Sequence, residues 1–242
     1  EIPKRDWSSD VCSSDLDGFL RSLELQNIQP EVIAGVVSET FQGVGPDFMP
    51  VEYARALEAF CRRHDIVLIM DEVQAGFGRS GKMFAFEHYG VTPDLIACGK
   101  GITSSLPLAA VIGRTDILEI YAPGSMTSTH SASPLAVAAA IENLKLIKKE
   151  RLVARSARLG KMLARELERI QRAHPDRHGC FRGKGLVAGI QVVKAGTREP
   201  DPATAVKINV ACFQKGLLMF APVGIAGECL KVAPPLTISE AA

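Results

Sequence analysis

Residues 66–76 read Ile66-Val67-Leu68-Ile69-Met70-Asp71-Glu72-Val73-Gln74-Ala75-Gly76. Five apolar residues in a row, rich in β-branched types, suit a strand covered on both faces, as in a parallel sheet between helices. The abrupt change to two carboxylates marks its carboxyl end. Three further runs have the same character. Val32 to Val37 ends at Ser38-Glu39, Leu95 to Cys98 at Gly99-Lys100-Gly101, and Leu108 to Ile112 at Gly113. Between the first two, Val51 to His64 sets Ala54, Leu57, Phe60 and Cys61 at three- and four-residue steps, one face of a helix. Strand-like and helix-like patterns therefore alternate, which predicts α/β layering around a mainly parallel sheet.

Ser133-Pro134 supplies an N-cap followed by proline at the first helical position, opening a helix through about Ile147. A second helix is expected from Arg151 to Arg172, with Leu152, Leu159, Leu163, Leu167 and Ile170 as its stripe. Beyond His174-Pro175 the pattern changes to a glycine-rich stretch, a strand at Ile190 to Val193, a helix over 203–214 and short apolar pieces at 217–220 and 230–233. This reads as a smaller α+β unit. The expected division is 1–16, 17–150 and 151–242, with a further helix beginning where the sequence stops.

The 242 residues carry a formal net charge of +1, with 23% charged and 47% apolar side chains, the balance of a folded globular chain. No stretch approaches the roughly 18 consecutive apolar residues of a membrane helix. Basic runs are no longer than pairs such as Lys148-Lys149, so nothing marks a polyanionic partner such as nucleic acid. The six cysteines lack metal-type spacing and read as reduced thiols of a cytoplasmic protein.

Arg5 to Leu16, RDWSSDVCSSDL, fits neither period, and four of its twelve residues are serine. It resembles a translated sequencing adapter and is set apart from the fold on that ground.

In open parallel sheets the binding crevice lies outside the carboxyl ends of the strands. Three successive strands deliver Glu39, Asp71 and Lys100 there. One carboxylate after a strand is more often a helix cap, but three functional groups at one edge form a constellation. Lys100 stands between two glycines, where backbone can close on a ligand and screen the amine from water, lowering its pKa as a nucleophilic lysine requires. Gly76 to Lys82 also satisfies GxxxxGK, and the strand before it ends in Asp-Glu, which suggests a nucleotide phosphate loop. Two features argue against that. Position 83 is Met rather than a metal-ligating hydroxyl, and the acidic strand precedes the loop too closely to be its partner.

Asp71 to Gly81, Thr92-Pro93-Asp94, Gly99-Lys100-Gly101, Thr129 to Ala136, Gly183 to Leu186 and Pro234 to Thr237, in this order, resemble the class III (omega-amino acid) aminotransferases. The resemblance implies an α/β fold of the aspartate-aminotransferase type (PLP fold type I), with part of its large domain and a smaller C-terminal α+β domain. It also implies pyridoxal 5'-phosphate as cofactor. On that pattern Asp71 pairs with the pyridine nitrogen, Val73 packs on a ring face and Gln74 lies near the ring hydroxyl. Lys100 links the cofactor and moves the Cα proton, and Thr129 reaches the cofactor phosphate of a neighbouring subunit in a homodimer. Glu39 and Lys231 fall at substrate positions, Lys231 where relatives often place an arginine that clamps a carboxylate. The implied reaction moves an amino group from an omega-amino acid or amine to a 2-oxo acid. Related chemistries of the same cofactor are decarboxylation, elimination and racemisation. The family's phosphate loop and ring-stacking aromatic residue are expected upstream of Asp17, and a piece without them is expected to be inactive alone.

Overall fold

The computed structural model describes residues 16–240. The segment set apart above lies outside them except for Leu16. In chain order the first elements are α1 (Leu16–Leu25), β1 (Gly35–Glu39), β2 (Phe41–Gln42), β3 (Asp47–Phe48), α2 (Val51–Arg63), β4 (Val67–Asp71), β5 (Leu95–Cys98) and β6 (Ala110–Gly113). They continue with α3 (Thr115–Leu118), α4 (Pro134–Lys149), α5 (Leu152–Ala173), β7 (His178–Lys184), β8 (Val187–Val192), α6 (Pro202–Gln214) and β9 (Cys229–Val232). They form two compact units. One comprises the described chain up to Thr40 with Met49–Gly76 and Ala85–Leu146; the other comprises Phe41–Phe48, Phe77–Phe84 and the described chain from Ile147 onward.

The first unit is built on a four-stranded sheet in the order β1-β4-β5-β6. Strands β1, β4 and β5 run parallel, with Glu39 opposite Asp71 and Asp71 opposite Ala97. Strand β6 runs antiparallel to β5, pairing Cys98 with Ala110, so residues 99–109 leave and re-enter the sheet at one edge. β1 begins at Gly35 rather than Val32 because Pro30–Val32 makes a 3-10 turn, which proline's fixed φ favours. α2 packs on β4 and buries Ala54, Leu57, Phe60 and Cys61, the face its spacing predicts. Asp94 pins the opposite ends of the strands, accepting from the Leu68 N–H (2.8 Å), Arg62 (2.6 Å) and Arg114 (3.0 Å). Burial pushes the Asp94 pKa up, but these three donors outweigh it and hold the carboxyl below its ordinary range.

The second unit has an antiparallel sheet, β7-β8-β9, whose central strand is buried along its whole length. α5 covers one part of it, Leu167 packing with Ala188 and Ile190. α6 covers another through Ala205, Val192 and Leu230. Asp201 caps α6 by accepting from the Thr204 N–H (3.0 Å), and Pro202 occupies the first helical position. Residues 217–220 form no strand. α5 and the β7–β8 turn approach so closely that a Cβ on Gly160 would stand 2.3 Å from the Gly185 carbonyl oxygen.

Candidate functional site

Parallel pairing of β1 and β4 sets Glu39 beside Asp71 at the carboxyl edge, and β5 delivers Gly99 and Lys100 next to them. The Asp71 carboxylate accepts the Val73 N–H at 2.9 Å, which fixes its plane. Val73 in turn lies on the Gly99 α-carbon: a Cβ there would meet Val73 Cγ1 at 3.1 Å. Gly99 is therefore required for close approach, and the approach brings the Asp71 turn against the Lys100 turn. Gln74 follows, half-buried, while Glu39 is exposed.

Lys100 opens a 3-10 turn, Lys100–Ile102, with φ +37°. This left-handed backbone is uncommon for a residue with a side chain. The turn is anchored by buried Ile102 and Thr103 and by Asn143 of α4, whose amide donates to the Gly101 (2.8 Å) and Ile102 (3.1 Å) carbonyls. The expectation that Lys100 is screened from water is corrected. Among the described residues it is exposed, with nothing packed over it.

Beneath the edge lies a buried polar layer. Glu72, Thr40 and Tyr89 are each 0% exposed. Glu72 accepts from the Ala85 (2.9 Å) and Phe86 (2.8 Å) N–H groups, so its two oxygens tie the far end of the 72–86 segment back to β4. The Thr40 N–H donates to the Asp71 carbonyl at 3.4 Å, and its hydroxyl lies within reach of that carbonyl and of the Glu72 carboxylate. The Tyr89 hydroxyl donates to the Thr40 carbonyl. Burial lifts the Glu72 pKa to about 7 against the pull of those donors. Sequence reasoning passed over Glu72, Thr40, Tyr89 and Asn143. A poor helix former amid alanines at Asn143 was the available signal.

Thr129 sits in the exposed loop between α3 and α4, and no described hydrogen bond joins it to Asp71 or Lys100. Lys231 lies on β9 in the second unit, buried, donating to the Gly43 carbonyl at 3.0 Å with its ammonium 5.7 Å from the Phe41 ring centre. The GxxxxGK stretch has a packing role. Arg79 donates to the Leu186 (2.9 Å) and Pro234 (2.5 Å) carbonyls, and a Cβ on Gly81 would meet Ala157 Cα at 2.9 Å, which leaves no room for a phosphate at that glycine. Among the described residues no group of three or more His, Cys, Asp or Glu could hold a metal ion, and no helix is long and apolar enough to cross a membrane.

A carboxylate, an apolar side chain and an exposed lysine thus stand within two adjoining turns at one strand edge. Comparison with known proteins makes the class specific. The family model described as aminotransferase class-III matches residues 5–242, and the chain belongs to that family. The match starts within the segment that reads as foreign and lends that reading no support. The chain is 38% identical over 209 residues to the 4-aminobutyrate aminotransferase of Mycobacterium leprae, covering 86% of this chain and 46% of that protein. It is 35% identical to the 5-aminovalerate aminotransferase DavT of Pseudomonas putida, covering 97% and 56%. Among solved structures, the (S)-enantioselective omega-transaminase of Thermomicrobium roseum superposes with a TM-score of 0.85 at 32% identity, covering 96% of this chain and 52% of that one. The architecture is thus the α/β aspartate-aminotransferase-like fold. The chain spans about half the length of the curated relatives it matches.

Proposed function

We propose that the whole protein transfers an amino group from an omega-amino acid or amine to a 2-oxo acid, using pyridoxal 5'-phosphate. The observation that supports this reading is the close approach of Val73 to Gly99, which brings the turn after Asp71 against the turn that carries Lys100. Those residues fit the cofactor: a carboxylate for its ring nitrogen, an apolar side chain for a ring face and an accessible primary amine. When bound, pyridoxal phosphate supplies an electron sink for the charge left at Cα as its proton departs.

The chain's own residues do the rest. Asp71, oriented by the Val73 N–H, would face the ring nitrogen and favour its protonated form. Lys100 Nζ would hold the cofactor and, once released, serve as the general base and acid for the Cα proton. With the cofactor bound, Gln74 would lie near the ring hydroxyl and Thr129 would reach the phosphate from across a homodimer, while Glu39 and Lys231 are the substrate contacts that the family resemblance implies. A point charge at Lys231 would hold a carboxylate less firmly than an arginine fork, and its ammonium already donates to the Gly43 carbonyl. The names of the two relatives, for 4-aminobutyrate and 5-aminovalerate, support terminal amines as donors. A cytoplasmic location completes the reading.

In the full-length protein, Lys100→Ala should abolish both covalent retention of pyridoxal phosphate after borohydride treatment and amine transfer from 4-aminobutyrate or 5-aminovalerate. Normal turnover by that variant would overturn the assignment. Release of carbon dioxide or ammonia without stoichiometric amine transfer would redirect it to decarboxylation or elimination.

A further inference from the structure

We propose that Asn143 is a positioning residue for Lys100, acting through the backbone of the turn that carries it. This rests on the reading of Lys100 as the reactive lysine. Asn143 lies within α4, in the run Ala138-Ala139-Ala140-Ile141-Glu142-Asn143, where asparagine is a poor helix former and competes with the backbone for hydrogen bonds. Its amide is turned instead onto the neighbouring loop, donating to both the Gly101 and Ile102 carbonyls.

Those carbonyls belong to the residues that directly follow Lys100. The same turn is closed by the Ile102 N–H to the Gly99 carbonyl (3.0 Å) and the Ser104 N–H to the Lys100 carbonyl (3.3 Å). Lys100 itself is held at φ +37°, a conformation that persists where surrounding bonds over-determine it. Relaxation of the turn toward ordinary φ redirects the Cα–Cβ bond of Lys100 and with it the direction in which the side chain leaves the sheet edge. Two bonds from a single side chain on a regular helix resist that relaxation. Ile102, buried on the same turn, supplies the apolar half of the anchor. An aspartate at position 143 has the same shape but sets a carboxylate against two carbonyl oxygens, so it reverses the interaction rather than deleting it.

The test uses the full-length protein in two forms. Without cofactor, amide exchange over residues 100–104 and the rate of Lys100 acylation, mapped by mass spectrometry, are compared for wild type, Asn143→Leu, Asn143→Asp and Glu142→Ala. Glu142 is the control, since its carboxylate pairs with Lys145 on the exposed side of the helix. Exchange in the turn should rise on the order of tenfold in Asn143→Leu and more in Asn143→Asp. Lys100 acylation should change relative to the other lysines, with Glu142→Ala unchanged. With pyridoxal phosphate, the pH midpoint of the visible band should shift in both Asn143 variants, a change that loss of global stability does not produce. Unchanged turn exchange and unchanged Lys100 acylation in Asn143→Leu would sink the proposal. If wild type acquires no visible band, the function assigned above fails, while the cofactor-free measurements still decide the role of Asn143.

Discussion

Glu72 shows how a single buried group sets a pH dependence. Its ordinary pKa is 4.5 and burial lifts it to about 7 in the folded chain. Between those values the native state binds more protons than the unfolded state, so this group's contribution to stability falls as pH rises through that window. Glu72→Gln removes the titration. Relative to the variant, the wild type should lose on the order of 3 kcal/mol between about pH 4.5 and about pH 7. Urea midpoints measured across the window check this, and parallel curves for the two proteins would rule it out. The glutamine also sets an amide N–H against one of the two backbone donors, a cost that offsets the whole curve without changing its slope. Arg79 makes a complementary case in the second unit. Arg79→Leu strips partners from two carbonyls and should cost about 1–3 kcal/mol per group left unpaired, seen as a lower denaturation midpoint.

Elements were legible where one period dominated. The runs at 67–71 and 95–98 became strands, and the spacing of Ala54, Leu57 and Phe60 became the buried face of α2. The misses have physical causes. Pro30 turned the start of one apolar run into a 3-10 turn, and 217–220 was apolar without a partner strand. At the candidate site, the positions of Asp71 and Lys100 beside strand ends could be read from where the apolar runs stop. The supports could not, because Glu72, Thr40 and Asn143 act through backbone groups distant in sequence. Gly160 gives an element-scale test of packing against propensity. In an exposed helix, alanine would be preferred to glycine by about 1 kcal/mol. In α5 the added methyl collides with the Gly185 carbonyl, so Gly160→Ala should destabilise by about 1–3 kcal/mol. A raised melting temperature for this variant would show that the helix and turn can separate freely.

Over the whole molecule, the division into two units follows no single cut in the sequence. Phe41–Phe48 and Phe77–Phe84 flank the strand β4 and its Asp71 turn, yet both belong with the C-terminal residues. Arg79 and Lys231 account for part of this, each bonding a carbonyl more than 100 residues away within the second unit. The surface bears on behaviour in solution. Strand β1 forms a sheet edge with Val37 66% exposed, and Ile120, Tyr121, Met126 and Leu135 are all more than half exposed. Open edges and contiguous apolar surface promote association. The 242-residue chain by itself should therefore self-associate, and Val37→Lys should reduce it; light scattering that reports a concentration-independent monomer for the unaltered chain would count against this.

The antiparallel return of β6 has one more consequence. Because Cys98 and Ala110 are register partners, residues 99–109 are knotted at the base by the sheet's own ladder. Past Ser104, whose N–H closes the lysine turn, the chain is held by the ladder rather than by that turn, so a change of length there need not shift a strand. The lysine turn can then keep its place while the outer part of its loop drifts in sequence, which separates what fixes position 100 from what shapes the surface around it.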